Sequence, residues 1–562
     1  METIKVYWVL GKAQRAVQKS GVAVFSALLL ISFLASIVIS HRGLDFTDES
    51  FYILSSVYPE RQVSGLSFFH YFTAQIWTVV QSIHFFRLSS ILISAIFSYV
   101  LMRQISMYLP SKSRGSLIKS FLTIFGSHLA YGSLINFSPS YNLIVAWITP
   151  VVVLLMFKSF TTISYFDSFK NLFCSSIGLL LLFNVKFSVP FSAFFIVAVL
   201  TIAFPAIKRN LIISRMFALG LIFVFLITLE LIVLKIGSFD FQYFANGYMA
   251  LSQIQSDGSF GHFMVVVLRT IKRLGYLIVA IVGLYLVHRL SRSLTRNVRT
   301  ISFVFYGIFI SILLKLFYAS SGNWTGQALA FHLIVCLFVI TRRSKFQDSH
   351  VHKSLILILL ILPYAMSIGT NNIYFEQTLF YLAPWAIALL ILDKADFQKF
   401  YKQGSFVISM VFSLHLVTAL FTPAYGLEGS YIRNTVPVNI NGYGTLLFSP
   451  SEARFIGEIS AVKRNCNLTD DYGFLGFENS GGLAIPLGLP PLGNSWTTSK
   501  FQAELNLTDS NRSQQIVIAF RSPFAGDQRL VPDELDFPEA FVLCARVELS
   551  DRQVFGIWKK NR

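Results

Sequence analysis

Residues 21–52, GVAVFSALLLISFLASIVISHRGLDFTDESFY, indicate the fold class of this chain. The stretch 21–40 has no charged side chain and is long enough to cross a hydrocarbon core of roughly 30 Å as a helix. Basic residues precede it at Lys5, Lys12, Arg15 and Lys19. The positive-inside rule therefore predicts a cytoplasmic N-terminus and an uncleaved first membrane span.

The composition of the whole chain points the same way. Of its 562 residues, 54% are hydrophobic and 13% are charged, against about 25% charged in soluble domains. The net charge of +18 is concentrated in residues 1–421, which hold 33 Lys and Arg against 13 Asp and Glu. Residues 422–562 hold 13 against 15. The basic excess thus belongs to a polytopic membrane part, and we expect no nucleic-acid partner.

The apolar runs predict 13 membrane spans. We place them at about 21–40, 88–107, 120–137, 141–157, 172–184, 188–206, 211–234, 263–287, 301–318, 326–340, 354–368, 378–392 and 405–421. The runs 172–184 and 326–340 are short for a full crossing, so they could be tilted or broken spans.

Charge in the loops predicts the orientation. Alternate loops are rich in Lys and Arg, whereas the opposite loops 136–140, 236–261, 319–325 and 369–377 contain none. An odd number of spans puts residues 422–562 outside the cytoplasm.

Two domains follow from this arrangement. Residues 1–421 form the transmembrane domain, and its first outer loop, 41–87, contains two aromatic-rich amphipathic segments, 50–58 and 66–82, typical of interfacial helices. Residues 422–562 form an extracytoplasmic, mixed α/β, strand-rich domain. Its alternating segments 515–520, 540–549 and 553–558 predict strands.

The four cysteines divide between these domains. Cys174 and Cys336 lie in apolar runs, where we expect buried packing residues. Cys466 and Cys544 lie in the C-terminal domain. A disulfide between them is plausible if that domain lies in an oxidising compartment.

The candidate catalytic residues are Asp45, Asp48 and Glu49, three acids that follow the first span. A carboxylate at a low-dielectric interface has a raised proton affinity and can act as a general base on a hydroxyl. The alternative interpretation is helix capping by Asp45 or Thr47, with acids in the first helical turn favoured by the helix dipole. Both can hold, because one acid can cap while another stays available.

Basic residues in apolar runs form a candidate phosphate site. Intramembrane cations pair with an anion or line a cavity, and a lipid phosphate would satisfy several of them at once. The alternative is that each cation reaches ordinary lipid phosphates. The candidates are Arg269, Lys272, Arg273, Lys186 and Lys315.

Polar and aromatic residues of the outer loops are candidates for substrate binding. Amide, hydroxyl and aromatic groups suit sugar recognition, although they are also ordinary loop residues. The candidates are Tyr52, His70, Tyr141, Asn142, Asn371 and Asn372. We find no metal-ligand spacing and no phosphate-binding glycine loop, so no cofactor is indicated, although a divalent metal stays open.

An Asp-Glu pair at Asp48-Glu49 soon after the first span, followed by interfacial helices, resembles the GT-C class of integral-membrane glycosyltransferases. The most similar members are the protein O-mannosyltransferases and the aminoarabinose transferase-like family. The loops 139–142 and 369–372 also resemble loops of bacterial members. These families have around a dozen spans and an extracytoplasmic C-terminal domain, and they use a polyprenyl-phosphate sugar as donor. The resemblance implies Asp48 as catalytic base with Glu49 in support. One departure is that loop 136–142 lacks the second acid of aminoarabinose-transferase-like enzymes, so Asp45 would have to supply it or it is missing.

The sequence therefore predicts a multi-pass membrane protein. The resemblance implies that the membrane is a bacterial inner membrane and that the C-terminus is periplasmic. Its expected reaction is inverting transfer of a sugar from a polyprenyl phosphate to a glycan, lipid or protein acceptor. The alternatives are an O-antigen or polysaccharide polymerase or ligase, which we expect to centre on Arg and His of large outer loops, and a lipid or solute transporter, which inverted repeats and broken helices would favour. A non-catalytic assembly protein would tolerate loss of Asp48.

Overall fold

The fold is known from a computed structural model. It describes residues 23–109, 112–237, 240–254, 259–293, 324–341, 350–369, 372–393, 404–421, 430–497, 499–507, 515–521, 530–550 and 553–561. Predicted span 301–318 and the candidates Lys315 and Asn371 lie outside these residues.

The chain is mostly helical. In order, the helices before the C-terminal region are α1 (Ala23–Ser40), α2 (Asp48–Val57), α3 (Phe69–Val80), α4 (Ile83–Ile105), α5 (Arg114–Leu129), α6 (Tyr141–Thr161), α7 (Tyr165–Val185), α8 (Ser188–Ala203), α9 (Arg209–Ile236), α10 (Gln242–Ile254), α11 (Ser259–Ser293), α12 (Trp324–Thr341), α13 (His350–Ser367), α14 (Tyr374–Gln377), α15 (Ala383–Leu392) and α16 (Gly404–Phe421).

Serine caps fix where several apolar helices begin. The side chains of Ser113, Ser140 and Ser164 each accept a hydrogen bond from the backbone N–H three residues later. Such a bond satisfies one of the N–H groups that a helix leaves open at its start. The caps therefore set the first turns of α5, α6 and α7.

Six helices of the described residues are long and apolar enough to cross a membrane, or seven if one bent pair counts as a span. The six are α1, α4, α6, α7, α9 and α16. Each predicted span other than 301–318 overlaps a helix, but α8 and α13 are shorter apolar helices, so the count of 13 stays a prediction.

For two predicted spans, the helices in the structure differ in length or shape from the apolar runs of the sequence. The short run 172–184 is the second half of α7, a helix of 21 residues that starts at Tyr165. The run 378–392 is not one straight helix, because the segment Tyr374–Phe380 and α15 meet at 78°. Hydropathy alone misses the polar first turns of α7 and cannot detect a bend.

The C-terminal region contains the predicted strands. Its elements are β1 (Val436–Ile440), β2 (Gly444–Phe448), α17 (Pro450–Asn465), β3 (Gly473–Gly476), α18 (Ala484–Leu487), α19 (Lys500–Leu507), β4 (Ile516–Arg521), β5 (Phe541–Ser550) and β6 (Gln553–Lys560). Strands β1 and β2 form an antiparallel hairpin, and a second sheet has the order β3-β4-β6-β5 with only β3 and β4 parallel. Strands β4, β5 and β6 match the three predicted segments to within two residues at every end.

Cys466 and Cys544 form a disulfide. It joins the end of α17 to β5 across a Cα–Cα distance of 5.8 Å and 78 residues of sequence. The disulfide links α17 covalently to the four-stranded sheet in the region that we predict to be extracytoplasmic.

The C-terminal region packs on the first outer loop. Gly43 N–H donates to the Leu447 carbonyl at 2.9 Å, and Leu447 N–H donates to the His41 carbonyl at 3.0 Å. One buried apolar cluster contains Leu54 and Trp77 of the loop together with Phe455 and Leu483 of the C-terminal region. The predicted boundary at 421/422 thus separates two parts that share a core.

Candidate active site

Glu49 has hydrogen-bond partners on both of its carboxylate oxygens. Its carboxylate is 0% exposed and forms a two-point ion pair with Arg87, with both N–O distances at 2.7 Å. The remaining guanidinium protons go to the carbonyls of Ser40, Arg42 and Gly43. The pair therefore ties α4 to the end of α1 and to the first turn of α2.

The loop between α5 and α6 completes the shell around Glu49. Asn136 and Ser138 each donate a hydrogen bond of 2.6 Å to its carboxylate. Burial by itself would raise the pKa of Glu49, but Arg87 and these two donors hold it below its usual value. The loop 136–142, which contains no acid of its own, thus supplies hydrogen-bond donors to Glu49. Because all the lone pairs of Glu49 have partners, it suits a positioning role rather than proton transfer.

Asp45 caps α2. Its carboxylate accepts hydrogen bonds from the N–H and hydroxyl of Thr47 and from the N–H of Glu49, at 2.6–3.1 Å. The Asp45 N–H in turn donates to Glu49 at 3.1 Å. Burial and the nearby charge of Asp48 raise the pKa of Asp45 to about 7, although the Thr47 and Glu49 donors oppose that shift. The capping interpretation therefore applies to Asp45, whose side chain rather than that of Thr47 makes the cap.

Asp48 is the half-buried acid of the three, in the first turn of α2. Its carboxylate lies within electrostatic range of the hydroxyls of Tyr131 and Tyr141. Tyr141 is also hydrogen-bonded to Tyr52 and to Asn142. The structure thus brings Asp48 together with three of the predicted substrate-binding residues.

Lys186 joins the same cluster from the connection between α7 and α8. Its ammonium group donates to the Met366 carbonyl at 2.8 Å and approaches the Tyr381 hydroxyl at 3.4 Å. Tyr381 in turn donates to Asn142 at 2.6 Å. The Lys186 nitrogen lies 6.0 Å from the ring centroid of Tyr141.

The charge of Lys186 has no counter-ion in the part of the chain that the structure describes. The residue is 7% exposed, and no carboxylate of the described residues lies within 4.0 Å of its nitrogen. Burial lowers the pKa of Lys186 to about 7. An anionic ligand near the ammonium group would restore its charged form.

Two cavities adjoin this cluster. The first, which we call the polar cleft, has a volume of about 500 Å³ and is lined by Phe51, Gln62, His70, Tyr141 and Trp496 among others. The second, the apolar groove, has a volume of about 400 Å³ and is lined by Phe183, Phe187, Leu231 and Leu234 among others. Leu66 and Ser67 line both cavities.

Lys186 lies beside both cavities without lining either of them. Its neighbours in sequence, Asn184 and Phe187, line the apolar groove, whereas its ammonium group faces Tyr141 of the polar cleft. In the groove, Asn184 donates to Glu230 at 2.7 Å, which gives this carboxylate a hydrogen-bond partner.

The three cations of α11 lie elsewhere on the surface of the bundle. Arg269 and Lys272 are exposed, and Arg273 is half-buried with its Nε 3.8 Å from a Glu376 carboxylate oxygen. Arg273 and Lys186 contact different ends of the segment 366–377. The candidate cations are thus divided: of those that the structure describes, Lys186 lies near Tyr141, and the three of α11 do not. Lys315 lies outside the described residues.

The remaining predicted substrate-binding residues have separate positions. His70 lines the polar cleft, and Tyr52 packs against Phe69 and Tyr141 beside it. Asn372 is exposed at the start of the segment that leads into α14.

Sequence reasoning missed several residues of the site. Arg87 carries a signal that could have identified it, since it is a lone cation at the start of an apolar run. Tyr381, Gln62 and Trp496 carry no such signal, because only tertiary contacts bring them to the cluster and the cleft. In the described part of the chain, no three His, Cys, Asp or Glu side chains gather in a metal-binding arrangement.

Comparison of the chain with protein-family models, with curated proteins and with solved structures finds no match.

Proposed function

We propose that this protein is an integral-membrane glycosyltransferase that moves one sugar from a polyprenyl phosphate to an acceptor hydroxyl. One observation carries the proposal: an apolar groove and a polar cleft meet at Leu66 and Ser67, and buried Lys186 lies beside them without lining either cavity. A donor with a long apolar chain, a phosphate and a sugar would place its chain in the groove and its phosphate near Lys186. Its sugar would then reach the side of the polar cleft, where an acceptor could meet it.

The groove suits the lipid part of the donor. Phenylalanine and leucine side chains dominate its lining, so a polyprenyl chain would bury apolar surface there. The helix α9, which contributes Leu231 and Leu234, is among the helices long and apolar enough to span a membrane. The rest of the chain could then continue into surrounding lipid.

Lys186 suits the phosphate. Its buried ammonium group donates to a backbone carbonyl and faces a tyrosine hydroxyl, and both of these partners are neutral. An anion would compensate the positive charge that they leave. The charge of Lys186 would stabilise the phosphate as the leaving group takes the electron pair of the breaking bond.

Asp48 is the proposed general base. It would accept the proton of the acceptor hydroxyl while that oxygen bonds to the anomeric carbon. The bond from the anomeric carbon to the phosphate oxygen breaks, and the lipid phosphate departs with the electron pair. Attack opposite the leaving group inverts the anomeric centre.

Glu49 and Asp45 then have positioning roles. The Arg87 pair and the Asn136 and Ser138 donors fix Glu49, and Asp45 caps the turn that carries Asp48. Catalytic groups work best when neighbouring contacts hold them in place.

The test is transfer from a radiolabelled polyprenyl-phosphate sugar to membrane acceptors by the purified protein. We expect Asp48→Asn to lose transfer by about 100-fold or more, the size typical of general base catalysis. Asp45→Asn should retain most of the activity, because an asparagine can also cap a helix. Asp167→Asn is the matched control, since Asp167 is an exposed acid in the first turn of α7.

Transfer by Asp48→Asn at the wild-type rate would overturn the proposal. A second test is cysteine labelling in 369–377 and at the C-terminus from either side of the membrane. Labelling of either position from the cytoplasm would exclude an outer active site.

A transporter is the second candidate, favoured by the 78° bend between the segment Tyr374–Phe380 and α15. Broken helices of this kind carry substrate sites in transporters. Flux of a labelled lipid-linked sugar into sealed vesicles, unchanged in Asp48→Asn, would support the transporter over the transferase.

A further inference from the structure

The polar cleft carries no formal charge. Fifteen residues line it, and none of these described residues is Asp, Glu, Lys or Arg. Its histidine, His70, is 2% exposed, and burial lowers the pKa of His70 to about 4, so the ring is neutral at pH 7. A charged ligand part would lose its hydration in this cleft without gaining a counter-ion.

Polar atoms of the lining nevertheless lack partners. His70 Nε2, Gln62 Nε2 and Trp496 Nε1 are buried atoms for which the described residues supply no hydrogen bond. Buried polar groups are nearly always hydrogen-bonded, so each such atom needs an explanation. All three atoms belong to residues that line the same cleft. A bound ligand that carries hydroxyl groups would satisfy them if their side chains turn toward it on binding.

Other polar groups of the lining already have a structural use. Asn494 bonds to the backbone of Val63 and Ser64 and to the Ser64 hydroxyl, at 2.7–3.3 Å. Tyr243 donates to the Ser67 carbonyl at 2.9 Å. These bonds join the segments that form the cleft. Asn494 and Tyr243 therefore have a structural role, whereas the three unpartnered atoms have hydrogen-bonding groups that no described residue uses.

Aromatic rings pack together in the lining of the cleft. Phe51 lies 6.0 Å from Trp496 and 5.9 Å from Phe69 between ring centroids. Sugars present C–H faces that pack on aromatic rings and hydroxyl edges that hydrogen-bond, so this combination fits a carbohydrate.

We propose that the polar cleft binds the neutral, polyhydroxylated end of a glycan acceptor, held by His70, Gln62 and Trp496. This inference rests on the proposed function and names its acceptor class as an uncharged carbohydrate rather than a peptide or a phosphorylated lipid headgroup. The position fits an acceptor, because Tyr141, the neighbour of Asp48, forms one part of the lining and Trp496 of the C-terminal region forms another.

The test is binding of free oligosaccharides to the full-length protein in detergent, followed by saturation-transfer NMR. The probes are neutral trisaccharides of glucose, galactose, mannose and N-acetylglucosamine, a trisaccharide ending in glucuronic acid, and a Ser/Thr-rich peptide. We expect at least one neutral trisaccharide to bind at millimolar concentration and the charged trisaccharide and the peptide not to bind.

Trp496→Phe tests the site itself, because it keeps an aromatic ring and removes only the N–H donor. We expect it to weaken binding by about three- to tenfold, as the loss of one hydrogen bond predicts. Trp558→Phe is the matched control, since Trp558 Nε1 is also buried without a partner among the described residues but lies on β6 outside the cleft. His70→Phe and Gln62→Met should weaken binding by a similar factor.

Failure of this inference can be told apart from failure of the proposed function. Binding by no neutral trisaccharide, equal binding of the charged one or of the peptide, or wild-type binding by Trp496→Phe would each overturn the carbohydrate site. Asp48→Asn should bind the neutral trisaccharide as the wild type does while losing transfer. If that variant transfers normally, the proposed catalytic role is wrong whatever the cleft binds.

Discussion

At the scale of single residues, three neighbouring acids have three different environments. Glu49 is paired with Arg87, Asp45 caps α2, and Asp48 lies beside the tyrosines of the cluster. Their spacing in the sequence could not assign these roles, because the partners come from helices and loops far along the chain. The environment of each carboxylate, rather than its residue type, separates the base candidate from the two positioning acids.

The Glu49–Arg87 pair is the first residue-scale prediction. Glu49→Gln should lower the free energy of unfolding by about 3–5 kcal/mol, since it leaves the buried charge of Arg87 unpaired. The measurement is the thermal midpoint of the purified protein in detergent. The double variant Glu49→Gln/Arg87→Met should recover part of the loss, because no lone charge then remains buried. A midpoint for Glu49→Gln equal to that of the wild type would contradict the role assigned to the pair.

The pKa of Lys186 gives a pH prediction. Burial lowers that pKa to about 7, so the free protein carries the ammonium charge below pH 7 and loses it above. The kcat/KM for the polyprenyl-phosphate donor should therefore fall as the pH rises through about 7. Lys186→Arg keeps its charge at every pH tested, so its residual activity should lack this fall. The same fall in Lys186→Arg would assign it to another group.

At the scale of elements, the sequence predicts helices and strands well where periodicity and composition dominate. The segments 50–58 and 66–82 correspond to α2 and α3, and the strand predictions correspond to β4, β5 and β6. The bend at α15 and the polar start of α7 escape such prediction, since both depend on local capping and packing. The candidate site divides in the same way. The structure brings the candidates Asp48, Tyr52, Tyr141, Asn142 and Lys186 into one cluster, whereas their partners were not foreseeable from spacing.

The link between α17 and β5 gives the element-scale prediction. Cys466→Ser should lower the stability of the C-terminal region by about 4 kcal/mol in the chain-entropy account, because the disulfide closes a long loop. Limited proteolysis of the region measures the effect. Cys174→Ser is the matched control, because Cys174 is a free cysteine on α7. The expectation that its apolar run buries it is wrong, since Cys174 is exposed. Equal cleavage rates for Cys466→Ser and the wild type would show that α17 and the sheet hold together without the bond.

At the scale of the whole molecule, the segment 41–49 is held from three sides. Arg87 binds it to the helix bundle, Asn136 and Ser138 bind it to the loop before α6, and the C-terminal region binds its backbone at Gly43 and Phe46. Tyr431 adds a cross-link by donating to Asn136 at 2.5 Å. The position of Asp48 is therefore a property of the assembled chain rather than of α2 alone.

Gly482 provides the test of this dependence. Its N–H donates to the Phe46 carbonyl at 3.1 Å, and a Cβ at this position would lie 2.6 Å from the Cα of Phe46. Because the obstacle is backbone, Gly482→Ala must displace the C-terminal region or the segment that carries Asp48. We expect a loss of about 1–3 kcal/mol in stability, as in other overpacked sites, and a larger fractional loss of sugar transfer. Gly457→Ala is the matched control, since Gly457 is exposed on α17 with nothing within 4 Å of the added atom. Alanine at this position should leave sugar transfer unchanged and stabilise the helix by up to about 1 kcal/mol. If Gly482→Ala kept full transfer activity despite lower stability, the C-terminal region would not position Asp48, and the helix bundle with the Glu49–Arg87 pair would have to do so alone.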